Sequence, residues 1–273
     1  MCKECGCEQS KKEKHEKRAG NNSRITGHSA LLAKSIVSDI NKTIKEKKQI
    51  KTEINKSLKE ENDKIAKAIS DFLLKQNIFC INIMGAPGAG KTTLIQGISC
   101  QLNQKEVAVI QGDLESDIDQ EHLRKAGIDC FQINTHSGCH LNSVMLNKAV
   151  LDMKKKGMLN NKKFLIIENV GNLVCPAGVK IGQHIDIVIS ATTEGFDKPK
   201  KYPIIFLDAK AVVISKLDLA GYADFNEKEY IESLKNIAPK TQIFKTSSKN
   251  TESYKAIADF ISHERKHFLC LSH

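Results

Sequence analysis

From residue 78 onward the chain alternates short β-branched runs with amphipathic stretches, the pattern of βαβ units wound around a mostly parallel sheet. Candidate strands fall at 79–84, 106–111, 130–134, 163–167, 185–191, 211–215 and 241–245. Candidate helices fall at 92–102, 121–126, 141–156, 227–236 and 252–263, between strands or closing the chain. The expected fold is α/β, a single mostly parallel sheet of about seven strands with helices on both faces.

Upstream the period changes. Apolar positions step by three and four through Ala33, Val37, Ile40, Ile44, Ile54, Leu58, Ile65, Ala68 and Phe72, a helical stripe interrupted by Lys47, Lys51 and Glu61. The stripe predicts a helical segment over 29–77, either two amphipathic helices or one long broken one, packed on the chain's own domain or on a partner helix, with the former the simpler expectation. Residues 8–28 hold too few apolar side chains to offset the entropy of ordering them and read as a linker. Three parts follow: a flexible tail and linker over 1–28, the helical segment over 29–77, and the α/β domain over 78–273.

Composition narrows the class. Hydrophobic residues make up 40% and charged residues 27%, as in a water-soluble globular protein. No apolar run is long enough for a membrane span, and the first thirty residues lack the apolar core of a signal peptide, so a cytoplasmic location is expected. The net charge of +10 is concentrated near the N-terminus, where residues 1–77 carry 18 Lys and Arg against 11 Asp and Glu. That arm has one aromatic, Phe72, and two arginines, Arg18 and Arg24, a poor set for stacking bases or gripping phosphates, so nucleic acid is not an expected partner. Nine cysteines in 273 residues are too few for a disulfide scaffold, so clustered ones read first as metal ligands.

The strongest motif is Gly85-Ala86-Pro87-Gly88-Ala89-Gly90-Lys91-Thr92, which matches G-x-x-x-x-G-K-[ST] between a predicted strand and a predicted helix and continues into Thr93. Glycines let successive N–H groups converge on phosphates, Lys91 reaches the β and γ oxygens, and the Thr92 hydroxyl is placed to ligate Mg²⁺. This makes the fold a P-loop NTPase. Two carboxylates at predicted strand ends, Asp113 and Glu168, are candidates for holding Mg²⁺ or the attacking water, and Gly171 leaves room for a backbone N–H at the γ-phosphate. For Asp113 a turn cap is the alternative, with Asp117 and Asp119 as rivals.

Base selection is expected after the strand 211–215, in Lys216-Leu217-Asp218. The Asp218 carboxylate can accept from N1–H and the 2-amino group of guanine, a donor pair adenine lacks. Ser247-Ser248-Lys249 after the last strand reads as a second guanine loop.

Two cysteine groups remain. Cys2, Cys5 and Cys7 place three thiols within six residues, a set suited to square-planar Ni(II) completed by an amine or amide, or to tetrahedral Zn²⁺. Cys139-His140 and Cys175 flank the strand leading to Glu168 and leave the nucleotide face of the sheet, and they are either a second metal site or plain core. Cys80, Cys100 and Cys130 sit in strand or helix patterns and are expected in the core.

Taken together, the Cys2-to-Cys7 start, the loop 85–92, Ile133-Asn134-Thr135 with Gly138-Cys139-His140-Leu141, the run Ile167-Glu168-Asn169-Val170-Gly171-Asn172-Leu173-Val174-Cys175-Pro176-Ala177-Gly178, and Asp197-Lys198-Pro199 with Lys201-Tyr202-Pro203 closely resemble the hydrogenase nickel-incorporation GTPases, the HypB family. The resemblance covers residues 1–7 and essentially all of 60–265. It implies a slow GTPase of the SIMIBI class that binds GTP and GDP, forms a GTP-dependent homodimer, and delivers Ni(II) to [NiFe] hydrogenase large-subunit precursors with a zinc-binding accessory protein. By the same resemblance Cys2, Cys5 and Cys7 are the tight nickel site, Cys139, His140 and Cys175 the G-domain site for Ni or Zn, and Asp113 and Glu168 the magnesium carboxylates. Ser215 stands in place of the Asn that opens the usual guanine motif, a departure expected to weaken one tether between loops. Phe196 stands where an acidic residue is often found, and with only His15 and His28 in 8–28 the linker lacks a His-rich nickel store.

Three readings compete with the nickel GTPase. A urease-type nickel GTPase is disfavoured by the three-thiol start and the Cys139-His140 pair, and a passive metal buffer by the intact Lys91, Thr92 and Glu168. A nucleic-acid-dependent ATPase is disfavoured by Asp218 and the lack of an arginine-rich face.

Overall fold

The computed structural model of the protein describes residues 25–112, 117–135 and 138–271; the tail cysteines Cys2, Cys5 and Cys7 and the candidate Asp113 lie outside the described residues. Seven parallel strands form one sheet, β1 (Phe79–Gly85), β2 (Val107–Gln111), β3 (Asp129–Gln132), β4 (Phe164–Glu168), β5 (Ile185–Ala191), β6 (Ala211–Ser215) and β7 (Gln242–Lys245), in the order β3-β2-β4-β1-β5-β6-β7. Every residue of the inner strands β1, β2, β4, β5 and β6 is buried, because helices cover both faces and no strand face meets water. The edge strands β3 and β7 are partly exposed and correspondingly more polar. All carboxyl ends open on one side, with β1 central, so the loops leaving β1, β2, β4, β5 and β6 share one rim, where ligands of open α/β sheets bind.

One face is covered by α2 (Lys91–Leu102), α3 (Asp117–Lys125) and α8 (Lys255–Leu271), through Leu94, Ile95, Ile98, Leu123, Ile257 and Ile261. The other carries α4 (Ser143–Lys155) and the end of α1 (Ile25–Lys75) over β1, β2 and β4, and α6 (Pro203–Leu207) with α7 (Glu227–Ile237) over β5 and β6. The short helix α5 (Lys198–Lys201) and α6 were not foreseen, although Pro203 at the first position of α6 is a helix-start signal.

The upstream stripe forms one continuous helix, α1, with no break at Lys47 or Lys51. Between His28 and Lys75 there is neither Gly nor Pro, and Lys, Glu and Ala are good helix formers, so polar interruptions of the stripe do not end it. Its C-terminus is closed by Asn77 at φ 59°, with Ile78 N–H bonded to Leu73 C=O (2.9 Å) and Asn77 N–H to Leu74 C=O (2.8 Å), a Schellman cap. The chain divides into two compact units between Lys56 and Ser57, inside α1, rather than at 77/78. Within Ser57–His273, Ile69 and Leu73 of α1 are buried in the same core cluster as Cys80, Ile110 and Leu165. Cys80 and Cys130 are core residues as expected, but Cys100 is exposed on α2, its thiol accepting a hydrogen bond from Gln104 Nε2 one turn on. No helix among the described residues is long and apolar enough to cross a membrane.

Candidate nucleotide and metal site

The loop between β1 and α2 has the geometry its glycines permit. Gly88 and Gly90 take φ of +72° and +94°, conformations a side chain would strain. A Cβ on Gly85 would lie 2.5 Å from Ile189 Cγ2 and 2.6 Å from the Ile189 carbonyl, so only glycine lets β1 and β5 approach there. The buried Lys91 lies inside the loop, its Nζ donating to the Ala86 carbonyl at 3.2 Å. Helix α2 begins at this lysine, so its N-terminal dipole faces the same space.

Across from the loop, β4 ends at Glu168. Its Oε1 accepts from the Thr92 hydroxyl at 2.7 Å and its Oε2 from Gln111 Nε2 at 2.9 Å. Gln111 is in turn held by the Cys130 thiol, which donates to Gln111 Oε1 at 3.0 Å. Burial, with the Glu168 charge nearby, pushes the Cys130 thiol up to about 12, so it stays protonated and remains a donor. The chain Cys130–Gln111–Glu168–Thr92 fixes both oxygens of the carboxylate at the mouth of the loop. Gln111 and Cys130 were not among the predicted site residues; a Gln ending an otherwise apolar strand beside a carboxylate was their only signal. The hydroxyl of Thr92 and the carboxylate of Glu168 are the hard oxygen donors Mg²⁺ prefers, so this pair fits that ion.

The base loops converge on the other side. Asp218 sits in a short 3-10 helix, Leu217–Tyr222, with Oδ1 accepting from the Ser247 hydroxyl at 2.7 Å and Oδ2 3.7 Å from Lys249 Nζ. The Ser247 hydrogen bond, with Lys249 beside it, holds this carboxyl below its ordinary range, so it is an ionised acceptor at neutral pH. Lys216, at φ 56°, presents its carbonyl to the Thr192 hydroxyl (2.7 Å). Ala89, Gly90, Thr93, Lys216 and Ser248 line one cleft, together with Thr246 and Tyr254, which sequence reasoning missed. The buried Ser215 hydroxyl donates to the Ala89 carbonyl at 2.7 Å, so the strand leading to the base loop is tethered to the phosphate loop.

The second cysteine group comes together. The ligand atoms of Cys139, His140 and Cys175 all lie within 4.8 Å of one another, with Cys139 Sγ 3.4 Å from His140 Nδ1. Hydrogen bonding with the adjacent Cys175 thiol raises the Cys139 pKa, an effect a bound cation would reverse. Two soft sulfurs and one imidazole are a donor set for Zn²⁺ or Ni²⁺, one short of a tetrahedral shell.

The two centres are joined by short paths. Gly85, at the head of the phosphate loop, makes a β-bridge to Asn172, and Asn172 Oδ1 accepts from the N–H groups of Val174 (2.8 Å) and Cys175 (3.3 Å). Gly171 lies against Pro87, where a Cβ would come within 3.1 Å of Pro87 backbone atoms. The buried Asn169 accepts from Leu141 N–H (3.3 Å) and Val170 N–H (2.9 Å) and donates to Asn82 Oδ1 (3.2 Å), linking the Cys139-His140 loop to the end of β4.

A glycine-rich loop with its lysine and a carboxylate on the adjacent strand define a P-loop nucleotide-binding protein, here with a thiol and imidazole cluster beside the nucleotide loop. Residues 79–245 match the CobW/HypB/UreG nucleotide-binding domain. The chain is 36% identical over 206 residues to the hydrogenase/urease maturation factor HypB of Helicobacter pylori, covering 76% of this chain and 85% of that one. A crystal structure of HypB from Helicobacter pylori in complex with nickel aligns with a TM-score of 0.73 at 35% identity, over 77% of this chain and 97% of that one. HypB from Archaeoglobus fulgidus aligns with a TM-score of 0.68 at 32% identity, over 75% and 98%. The chain belongs to the HypB family of P-loop GTPases.

Proposed function

We propose that this protein is a GTP-hydrolysing nickel metallochaperone acting in the maturation of [NiFe] hydrogenase. The observation that carries the reading is the placement of Cys139, His140 and Cys175 within 4.8 Å of one another on two segments, one bridged to Gly85 of the phosphate loop and the other bonded to Asn169, next to Glu168. A passive metal buffer has no use for that connection. Its similarity to a HypB solved in complex with nickel, and to maturation factors named for hydrogenase and urease, supports nickel as the cargo.

In this reading Asp218 selects guanine and Lys91 neutralises the phosphates. Thr92 and Glu168, with Asp113, hold Mg²⁺, which would supply charge neutralisation at the β and γ phosphates when bound. Water is added across the β–γ anhydride, giving GDP and phosphate. Three ligands per chain leave the metal's fourth position to water or to a second chain, which favours a GTP-dependent homodimer with the ligands near its two-fold axis. Cys2, Cys5 and Cys7 hold nickel in the tail; a zinc-binding accessory protein and the hydrogenase large-subunit precursor are the partners. Clustered free thiols require a reducing compartment, so the site of action is the cytoplasm.

The Helicobacter relatives carry both hydrogenase and urease in their names, so urease maturation is a second reading of the same chemistry. The test is single-turnover hydrolysis of GTP and ATP, with nickel binding followed by thiolate-to-Ni(II) absorption, in wild type, Lys91→Ala and Cys139→Ser/Cys175→Ser. GTP hydrolysis lost in the first variant and absorption reduced in the second is expected. Equal use of ATP, or absorption unchanged in the cysteine variant, would refute it.

A further inference from the structure

The segment 169–184, between β4 and β5, contains no helix or ladder strand, yet it carries Cys175 and must be held in place by something other than sheet hydrogen bonds. One end is bound to the phosphate loop by the Gly85–Asn172 bridge. The other end runs along α1: the Lys180 carbonyl accepts from Asn62 Nδ2 at 2.7 Å, Gly182 packs so closely that a Cβ would meet Ile69 Cγ2 at 2.7 Å, and His184 Nε2 lies 3.2 Å from the Ser70 carbonyl. The Cys175 segment is therefore strung between the nucleotide loop and a fixed helix.

Asn62 has a second attachment. Its Oδ1 accepts from both Ser143 N–H (3.1 Å) and the Ser143 hydroxyl (2.8 Å), at the start of α4 and three residues beyond His140. Ser143 is fully buried, so these bonds are made away from competing water. A single amide thus donates to the arm that carries Cys175 and accepts from the arm that carries Cys139 and His140. The amide does both because it carries a donor and an acceptor on separate atoms of one head group.

We propose that Asn62 is a positioning residue for the Cys139, His140 and Cys175 cluster, setting the separation of its two arms. The inference rests on the metal-binding reading of that cluster. Asn62 touches neither the metal ligands nor the nucleotide loop, so it acts through Lys180 and Ser143. By pinning the distal end of the Cys175 segment, it makes displacement at Asn172 by the nucleotide move Cys175 relative to His140 instead of dragging the whole segment. Losing Asn62 should loosen the cluster and uncouple it from the nucleotide together, with the nucleotide site intact.

The experiment uses the full chain with Cys2, Cys5 and Cys7 changed to Ser, so that Co²⁺ reports only the inner cluster through its ligand-field and thiolate charge-transfer bands. Asn62→Asp keeps the acceptor for Ser143 but removes the donor to Lys180; Asn62→Ala removes both; Ser143→Ala removes only the hydroxyl contact. Lys67→Ala, on the exposed face of α1, is the control. Expected are Co²⁺ affinities about tenfold to 100-fold weaker for the two Asn62 variants, the range seen when outer-sphere supports of metal ligands are lost. A shifted ligand-field spectrum, a smaller loss for Ser143→Ala and unchanged GDP affinity should accompany it. If the parent chain binds Co²⁺ and both Asn62 variants match it in affinity and spectrum, the positioning role is wrong while the cluster stands. If the parent chain itself shows no thiolate-bound Co²⁺, the metal reading falls and this inference with it.

Discussion

Ser215 donates its hydroxyl to the carbonyl of Ala89 across 2.7 Å, joining the end of β6 to the phosphate loop. Both residues are buried, so the bond is made away from competing water. Replacing Ser215 by Ala removes one neutral hydrogen bond, a loss of about 1 kcal/mol in stability. The same change frees the phosphate loop from the base loop, so GTP affinity should fall several-fold beyond the stability effect. Thermal melting with nucleotide titration checks this; a variant unchanged in both would show the contact to be incidental.

Asp218 is the residue proposed to read the base, and it faces Ser247 and Lys249. Its carboxyl is kept ionised by the Ser247 hydroxyl and Lys249, so its acceptor role should hold at neutral pH and fail only on strong acidification, as the pH falls through a value below the ordinary Asp range. Asp218→Asn exchanges the acceptor for a donor at guanine N1–H and should shift preference from GTP to XTP, whose 2-oxo group accepts. Competition binding with GTP, XTP and ATP decides it: wild type that takes ATP and GTP equally would refute the assignment.

His184 makes two bonds that only its neutral form satisfies. Cys80 N–H donates to Nδ1 at 2.7 Å, so the ring proton is on Nε2, facing the Ser70 carbonyl at 3.2 Å. The ring is stacked on Phe79 at 5.1 Å and also packs against Phe268. Burial pulls its pKa below 6.5, against opposing effects of Ser70 and the Asp71 charge. A folded pKa below the unfolded one means that this contribution is present above pH 6.5 and lost as pH falls toward the folded value, because the unfolded state takes up the proton first. Asp186, pushed up by burial, contributes with the opposite sign, so the informative quantity is the difference between proteins. His184→Gln keeps an acceptor and a donor but cannot titrate; its melting temperature should vary less than wild type between about pH 7.5 and about 5.5. Parallel curves would remove His184 from the account.

Much of this site was legible because its chemistry is local. The phosphate loop needs glycines and a lysine at fixed spacing, and a parallel sheet needs long apolar runs, so both are written in contiguous residues. Cys139-His140 and Cys175 were singled out because both segments flank a strand that ends at Glu168. What could not be read are partners separated widely in sequence: Asn62 with Ser143 and Lys180, Cys130 with Gln111, and Ser215 with Ala89 each depend on the completed sheet. Helix α1 shows the opposite failure. Its interrupted stripe suggested a break, but polar residues with good helix propensity continue a helix, and its last turns belong to the core of the α/β unit through Ile69 and Leu73. A boundary drawn before Ile78 would remove those side chains and open the core beneath α4.

Metal binding at Cys139, His140 and Cys175 should be coupled to the nucleotide, and the packing of α1 decides how this must be tested. The full chain with Cys2, Cys5 and Cys7 replaced by Ser keeps Ile69, Leu73 and Asn62 while silencing the tail thiols. Gly171 rests against Pro87 and Asn172 is bridged to Gly85, so a γ-phosphate in the loop acts on the two residues that begin the Cys175 segment. Cys175 N–H is bonded to the side chain of that same Asn172, which passes any displacement to the thiol. His140 stays where Leu141 N–H and Asn169 hold the other arm. The two arms therefore respond unequally, and Ni²⁺ or Zn²⁺ affinity should differ between the GDP form and a non-hydrolysable GTP analogue by roughly fivefold or more, within the usual span of allosteric coupling. Reciprocity requires that metal change the preference for GTP over GDP by the same factor, so two independent titrations must agree. Mass measurement in the same samples should show a dimer in the GTP-analogue state. Identical metal affinity and identical mass in both nucleotide states would leave a GTPase with an incidental metal site, and unequal factors in the two titrations would mean that the observed change reports something other than this coupling.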